Sequence, residues 1–389
     1  RSSDLKYITI VLLFLCLMSC HNGRQSSCEN VSVEKDSVQL RVIPVSISDT
    51  AYRNVDQTFE QISYVVLSDN VVIGEIVRTL VSDERIFILD NQNKLFCFDM
   101  QGKVEYVIDE HGPGPNEYGN VLDFALNPPL KMLWMYDSTR RKLHCYDMYT
   151  GKRRQSISAT YMAPERMAIW NGSFFFFMGD HYNYPDNPEM HYSLFCSLSG
   201  TKIDKSFFPH DRTSEFRFSY GKEHPFYYNN DKLYFIKDYE TVVYQLTSES
   251  VTPVYKVELP DSLPLDVLME VTPSLKLMQT RYSWLLSNAY EADGFLNLWF
   301  QKQGSCYAVY YDLLKDKLIY AGKQVNNHPV KDLLFISQIH GVYKDMFFSV
   351  VPSFVIQYKI SENPDVFPDD LKNLTEESNP IIGFYRVKR

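Results

Sequence analysis

The chain has 389 residues, room for two or three domains or for one large β architecture. Its 45% apolar and 22% charged residues are globular proportions that exclude global disorder and collagen-like repeats, and 15% aromatics, with 28 Tyr and 25 Phe, lean toward strands. A net charge of −9 without a basic block argues against nucleic acid as a partner, because that affinity rests on cationic neutralisation of phosphate.

Tyr7–Met18 (YITIVLLFLCLM) is an uncharged run of twelve residues behind Arg1 and Lys6. It falls short of the about 20 apolar residues that span a bilayer and suits the h-region of a secretory signal. Leu17-Met18-Ser19-Cys20 resembles a bacterial lipobox, which implies cleavage before Cys20 and lipidation of that residue; an ordinary secretion signal with an incidental Cys is the alternative. Residues 1–19 are therefore expected to be a lipoprotein signal peptide, and 20–57 a lipidated tether and lead-in, polar at its start and lacking a hydrophobic period there. His21-Asn22-Gly23-Arg24 has none of the acidic residues that surface-exported lipoproteins resemble one another in carrying, which favours the periplasmic side of the outer membrane over the cell surface. The chain opens on Arg1 rather than Met, so its translation start is expected upstream.

Beyond Cys16 and Cys20 stand Cys28, Cys97, Cys145, Cys196 and Cys306, with no C-x-x-C pair. Cys97 and Cys145 lie inside apolar strand patterns, LFCFD and LHCYD, and are expected to be free buried thiols acting as small hydrophobes. The Cys spacing offers no zinc site.

The body repeats at 47–49 residues. Residues 76–108 form an apolar run, a polar turn and three further strand-like runs, and residues 121–158 repeat the arrangement. Asp90 pairs with Asp137, Asp99 with Asp147, and Gly102 with Gly151 at hairpin turns where positive φ is useful. Weaker copies run over 166–208, 224–259 and 283–322, and a sixth begins at 333–351 with only two strands. Two strands lack partners, Gln61–Ser68 before the first unit and Ile381–Val387 at the end. Ring closure uses both: Ile381–Val387 as the third strand of the sixth unit and Gln61–Ser68 as its outer fourth, leaving no open edge. The expected fold is all-β, a six-bladed β-propeller of four-stranded antiparallel blades over 58–389, its last blade closed by the N-terminal strand pairing with the C-terminal strands.

Arg85–Leu126 carries I-x-I-L-D before a polar turn, F-D-x-x-G at the next hairpin, and Gly112-Pro113-Gly114-Pro115-Asn116-Glu117-Tyr118. In these motifs it resembles the six-bladed β-propeller lipoproteins of Gram-negative gut-type bacteria, often grouped with NHL-like and TolB-like propellers. Asn116 departs from the Gly common there. The tail resembles theirs as well, with a polar helix candidate at Pro368–Ser378 before the last strand. The resemblance implies a fold and a compartment and no agreed reaction.

In such a blade, strands A to D run outward from the channel, and the B–C loop and D–A crossover share one face. All the long insertions fall there: crossovers 109–120, 209–223 and 260–282, and B–C loops 179–191 and 352–380. Long loops on a rigid scaffold concentrate function. In 179–192, His181, Tyr182, Tyr184 and His191 put aromatic faces beside carboxylates and amides, which suits sugar or peptide recognition; a self-packed Pro-rich loop is the alternative. In 209–228, Arg212, Arg217, Tyr220, His224 and Tyr227 offer contacts to an anionic group, or plain solvated surface. His111, Glu117 and Tyr118 border a segment better suited to a rigid crossover than to a phosphate cradle, since its glycines alternate with prolines that have no N–H.

No nucleophile elbow, H-E-x-x-H or EF-hand loop occurs, and no catalytic residue is assigned. The leading expectation is a monomeric, noncatalytic binding or scaffold module, tied to the membrane by N-terminal lipid and presenting its long-loop face to a glycan, peptide or protein, with no cofactor. The alternative is a metal-assisted lyase or lactonase-like hydrolase with a divalent cation, Ca or Zn, at the channel mouth. There His111, His181, His224, His340 and Glu117 would have to converge.

Overall fold

The structure, a computed structural model, describes residues 40–47, 59–179, 187–210, 224–264, 267, 280–323, 338–362 and 364–389. Two strands, β1 (Arg41–Pro44) and β2 (Phe59–Val66), precede the first repeat. Blade one is β3 (Ile76–Ser82), β4 (Arg85–Asp90), β5 (Leu95–Asp99) and β6 (Val104–Ile108); blade two is β7 (Val121–Asn127), β8 (Met132–Asp137), β9 (Lys142–Asp147) and β10 (Arg153–Ser158). Blade three holds β11 (Arg166–Trp170), β12 (Ser173–Phe177), β13 (Tyr192–Ser197) and β14 (Lys205–Pro209). Blade four holds β15 (Phe226–Asn229), β16 (Lys232–Phe235), β17 (Val242–Leu246) and β18 (Val251–Glu258). Blade five holds β19 (Ser283–Ala292), β20 (Phe295–Lys302), β21 (Ser305–Asp312) and β22 (Lys317–Lys323).

Blade six closes the ring. Its sheet runs β23 (Gly341–Tyr343), β24 (Met346–Val351), β25 (Ile381–Val387) and then β2, which pairs antiparallel with β25, setting Tyr64 opposite Gly383. This is the closure expected from the two orphan strands.

Both faces of most middle strands are buried, as in β4, β8, β12 and β24, which is why these strands read as unbroken apolar runs rather than alternating ones. In β4, Ile86 and Ile88 pack toward blade six while Phe87 and Leu89 pack toward blade two. In β5, Phe96 and Phe98 take the first side, Leu95 and Cys97 the second. One such cluster fills each gap between neighbouring blades around the ring.

The repeated Asp residues hold turns. Asp90 Oδ1 accepts the N–H groups of Gln92 and Lys94 at 3.0 and 2.9 Å, and its Oδ2 accepts that of Gly74 at 3.0 Å. Asp137 repeats the device: Oδ1 takes the Arg140 N–H at 3.1 Å and Oδ2 the Gly119 N–H at 3.0 Å. Each carboxylate thus fastens its own B–C turn to the crossover entering strand A. Asp99 and Asp147 cap the C–D hairpins in the same manner, followed by Gly102 and Gly151 at φ of 78° and 66°.

Two features depart from expectation. The lead-in is not all tether: β1 adds to blade four as a fifth strand, parallel to β18, with Arg41 opposite Tyr255, and Ile43 is fully buried in the blade four–five cluster. Four residues are too short for a pattern, and the burial of Ile43 and Val45 drives the docking. The helix expected at Pro368–Ser378 shrinks to α2 (Asp369–Lys372), and a longer helix, α1 (Ser353–Glu362), precedes it. The α1 sequence SFVIQYKISE is rich in β-branched and aromatic residues and reads as a strand. It is helical because Val355, Ile356 and Ile360 seat one face on the blade five–six cluster, where Leu371 of α2 is also buried. The remainder of the expected helix turns back through Ser378, whose N–H bonds the Thr375 carbonyl, toward β25.

Candidate binding site at the channel mouth

Strands β3, β7, β11, β15, β19 and β23 are the inner strands, and they surround a central channel of about 1420 Å³. Their N-terminal ends meet the crossovers, so residues near those ends form the mouth on the long-loop face. Arg78, Arg166, His224 and His340 line the channel there.

Arg78 and Asp123 occupy the same place in two repeats, third in IVRTLVS and third in VLDFALN, each just after a register shift. The bulge turns each side chain inward. Asp123 is 1% exposed. Its Oδ1 accepts Arg78 Nη1 at 2.7 Å and its own-strand Phe124 N–H at 2.9 Å. Its Oδ2 faces His224 Nε2 at 2.8 Å and takes the Met167 N–H at 2.6 Å. Arg78 Nη1 also reaches the carbonyls of Phe124 and Met167, at 2.6 and 3.2 Å. One buried carboxylate therefore ties together the inner strands of blades one, two and three and the segment entering blade four.

Burial alone would push the Asp123 carboxyl up, but the Arg78 cation and His224 outweigh it and hold it well below the usual carboxylate range. For His224, burial and the neighbouring Arg78 charge together bring the imidazole down to about 4, against the pull of Asp123, so it is neutral near pH 7. Tyr228, in the same pocket, accepts the Ile169 N–H at 2.9 Å, and burial raises its hydroxyl to about 12. The Arg78 guanidinium lies over the Phe124 and Tyr228 rings, 5.7 and 5.8 Å from their centroids.

Of the residues singled out from sequence, His224 and Tyr227 line this channel. Tyr227 is 1% exposed and stands edge-on to Tyr290, ring centroids 5.2 Å apart. His111, Glu117 and Tyr118 lie instead in the crossover between blades one and two, outside the channel lining. That crossover folds on itself. The Glu117 carboxylate accepts the Gly114 N–H at 2.6 Å, and the hydroxyl of fully buried Tyr118 donates to the carbonyls of Asn93 and Ile108. A Cβ on Gly112 would stand 2.1 Å from Glu117 Oε2, so only glycine allows that approach. Arg140 clamps the loop from blade two through the carbonyls of Gly114 and Gly112, at 2.7 and 2.8 Å.

His191 is half-buried at the start of β13, where its carbonyl accepts the His210 N–H at 2.9 Å. Cys20, His181, Tyr182, Tyr184, Arg212, Arg217 and Tyr220 lie outside the described residues. His224 and His340 share the channel, while His111 and Glu117 do not join them. Among the described residues no group of three or more His, Cys, Asp or Glu could hold a metal ion.

Arg78, Asp123, Arg166 and Tyr228 were not singled out by sequence reasoning. A signal existed for the first two: a lone charge at one repeat position of a strand whose other residues are apolar or small.

Comparison with known proteins places this architecture. A family described as a domain of unknown function, DUF4934, matches residues 40–386. A crystal structure of a Bacteroides fragilis protein described as exported is similar over 90% of this chain and 100% of its own, with a TM-score of 0.74 and 17% identity, a likeness of fold. A DUF4221-family structure from Bacteroides vulgatus covers 86% of this chain and 99% of its own, at a TM-score of 0.49 and 11% identity. No curated protein matches the chain.

Proposed function

The chain belongs to the DUF4934 family, and from that premise we propose that it is a noncatalytic binding propeller of the cell envelope, which presents its crossover face and channel mouth to a glycan, peptide or protein. The observation that carries this reading is the channel itself. A rigid ring keeps open about 1420 Å³, above the usual range for small-ligand sites, in a channel that runs from the crossover face to the short turns between the first and second strands of the blades. The buried charges at its mouth are mutually compensated, so the wall is preorganised without a ligand.

The envelope setting rests on the apolar run before Cys20 and on the lipobox-like Leu17-Met18-Ser19-Cys20, with the periplasmic side of the outer membrane as the destination. A protein of the same fold that is described as exported agrees with this setting. Kinship with NHL-like and TolB-like lipoproteins belongs to the same reading. Among the described residues no helix is long and apolar enough to cross a membrane, so attachment would fall to lipid. Cys20→Ser should move the protein from the membrane to the soluble fraction; continued membrane retention would remove the lipid anchor from the proposal.

Binding is tested with the full chain on glycan and peptide arrays, followed by titration of each hit against Tyr182→Ala combined with Tyr184→Ala. The double variant should lose at least about tenfold in affinity at an unchanged melting temperature, as expected where a few aromatics carry recognition. An array without hits would overturn the binding reading, and equal affinity would remove the 179–192 loop from it.

A further inference from the structure

Several charges that line the channel are already engaged by the protein. Arg78 is held by Asp123, by the carbonyls of Phe124 and Met167, and by the Tyr228 hydroxyl. Asp83 accepts the Tyr149 hydroxyl at 2.8 Å, and Lys344 pairs with Glu84 at 3.4 Å. The buried polar side chains left over on the wall are neutral. Asn127, the last residue of β7, lines the channel and is 6% exposed, yet its amide bonds to no described residue. Trp170, the last residue of β11, lines the channel half-buried, and its indole N–H has no acceptor among the described residues. Asn288, also lining it and 7% exposed, donates from Nδ2 to the Ile339 carbonyl at 2.9 Å; among the described residues its Oδ1 accepts from none.

A buried amide without a partner is costly unless water or a ligand completes it. Asn127 offers a donor and an acceptor side by side, which matches a pair of neighbouring hydroxyls. Next to the unspent indole lies an aromatic platform: the Trp170 and Tyr228 ring centroids are 6.4 Å apart, with the planes at 51°. Tyr228 is fixed in place, since its hydroxyl accepts the Ile169 N–H at 2.9 Å and bonds the Arg78 guanidinium. Rings beside unspent amides suit a sugar, whose C–H face stacks while its hydroxyls form hydrogen bonds. Asn127 and Trp170 end neighbouring inner strands, at the short-turn end of the channel, whereas Asn288 bonds the segment entering β23, toward the crossover end. Unspent groups at both depths fit a chain of rings rather than one, and about 1420 Å³ gives that chain room. Glu376 and Glu377 line the crossover end and would repel an acidic chain.

We infer that the channel seats a neutral oligosaccharide, with a ring on the Trp170–Tyr228 platform, hydroxyls on the Asn127 amide and the indole N–H, and the chain continuing toward Asn288 Oδ1. This rests on the binding reading above and deepens it, by making the ligand an uncharged glycan and the channel its seat.

Calorimetric titration of the full chain with cellohexaose, maltohexaose, xylohexaose and mannohexaose, beside hexagalacturonate and hexaalanine, tests this. At least one neutral sugar should bind, shift the tryptophan emission, and bind at least about tenfold tighter than the acidic hexamer and the peptide. Trp170→Ala should weaken that sugar at least about tenfold, as expected where one aromatic carries recognition. Trp170→Phe keeps a ring for packing, should abolish the emission shift, and serves where Trp170→Ala disturbs folding. Asn127→Ala should weaken the sugar about three- to tenfold, the loss of one neutral hydrogen bond, without lowering the melting temperature, because this amide holds nothing in the protein. Binding of none of the four sugars, preference for the acid or the peptide, or unchanged affinity in Asn127→Ala together with a folded Trp170 variant would each overturn the inference. An array hit that is a peptide, or a glycan that both Trp170→Ala and Asn127→Ala leave untouched, would discard the channel seat while the binding reading stands.

Discussion

Asn379 Oδ1 accepts the backbone N–H of Ile73 at 3.1 Å, joining residues 306 apart in sequence where the two ends of the ring meet. The same side chain donates from Nδ2 to the carbonyls of Ser68 and Val71, at 2.9 and 2.7 Å, and the Asn379 N–H bonds Asp69 Oδ1 at 2.7 Å. The β2–β25 pairing closes the sixth sheet, and this buried amide then directs the chain from that sheet into blade one. Asn379→Ala should leave three part-buried backbone groups without this partner and cost on the order of 1–3 kcal/mol. Urea denaturation checks this, and a midpoint equal to that of the parent chain would show that the β2–β25 ladder closes the ring unaided.

Asp90 and Asp137 perform one task in two blades, so their replacements should behave alike. Asp90→Ala and Asp137→Ala each strip a turn and a crossover of their shared acceptor, at about 1–3 kcal/mol apiece. They share no partner, so the double variant should equal the sum of the two to within about 0.5 kcal/mol. A double variant much less destabilised than that sum would mean that the two turns fail together.

Acid should weaken the fold through His224. Its folded value, down to about 4, lies below the ordinary 6.5, so between those limits the unfolded chain binds the extra proton and stability falls as pH falls. The loss accumulates to on the order of 3 kcal/mol by pH 4. Asp123, held below the carboxylate range, adds a loss that begins only beneath about pH 4. Denaturation midpoints followed from pH 7 to 4 should decline in the parent chain and run flatter in His224→Gln. Parallel curves would mean that folding leaves the imidazole's affinity for its proton unchanged.

The strand thiols should be inert until the blades open. Burial pushes Cys97 and Cys196 up to about 12 and Cys145 up to about 11, and all three are free. Half-buried Cys306, also free and raised by burial, is the most accessible of the four. Under native conditions a thiol reagent should modify Cys306 first and the other three only at the rate of unfolding. Mass mapping of the labelled peptides reads the order, and early labelling of Cys97 would contradict its place between blades one and two.

The repeat was open to inspection because its markers are local. An Asp that caps its own turn and a Gly at positive φ three or four residues on are imposed by hairpin geometry, so they recur wherever the hairpin does. Strands such as RIFILD and SFFFF announced burial on two faces by their composition. Even closure could be inferred, since two unpaired strands in an otherwise complete set have one arrangement that leaves no edge exposed.

Other features left no local trace. β1 is four residues whose helix or strand character depends on the groove that receives Ile43, and α1 has strand-like composition overruled by the hydrophobic cluster beneath it. The candidate site is the extreme case. Arg78, Asp123 and His224 are separated by 45 and 101 residues and come from three different blades. Sequence by itself determined the periodic strands and their ring, because backbone geometry and two-sided burial act on neighbours in the chain. Only the tertiary structure decided which charges meet at the channel mouth, because that encounter is made by closing the ring, and electrostatic compensation at 2.7 Å depends on distance in space and on nothing that sequence spacing records.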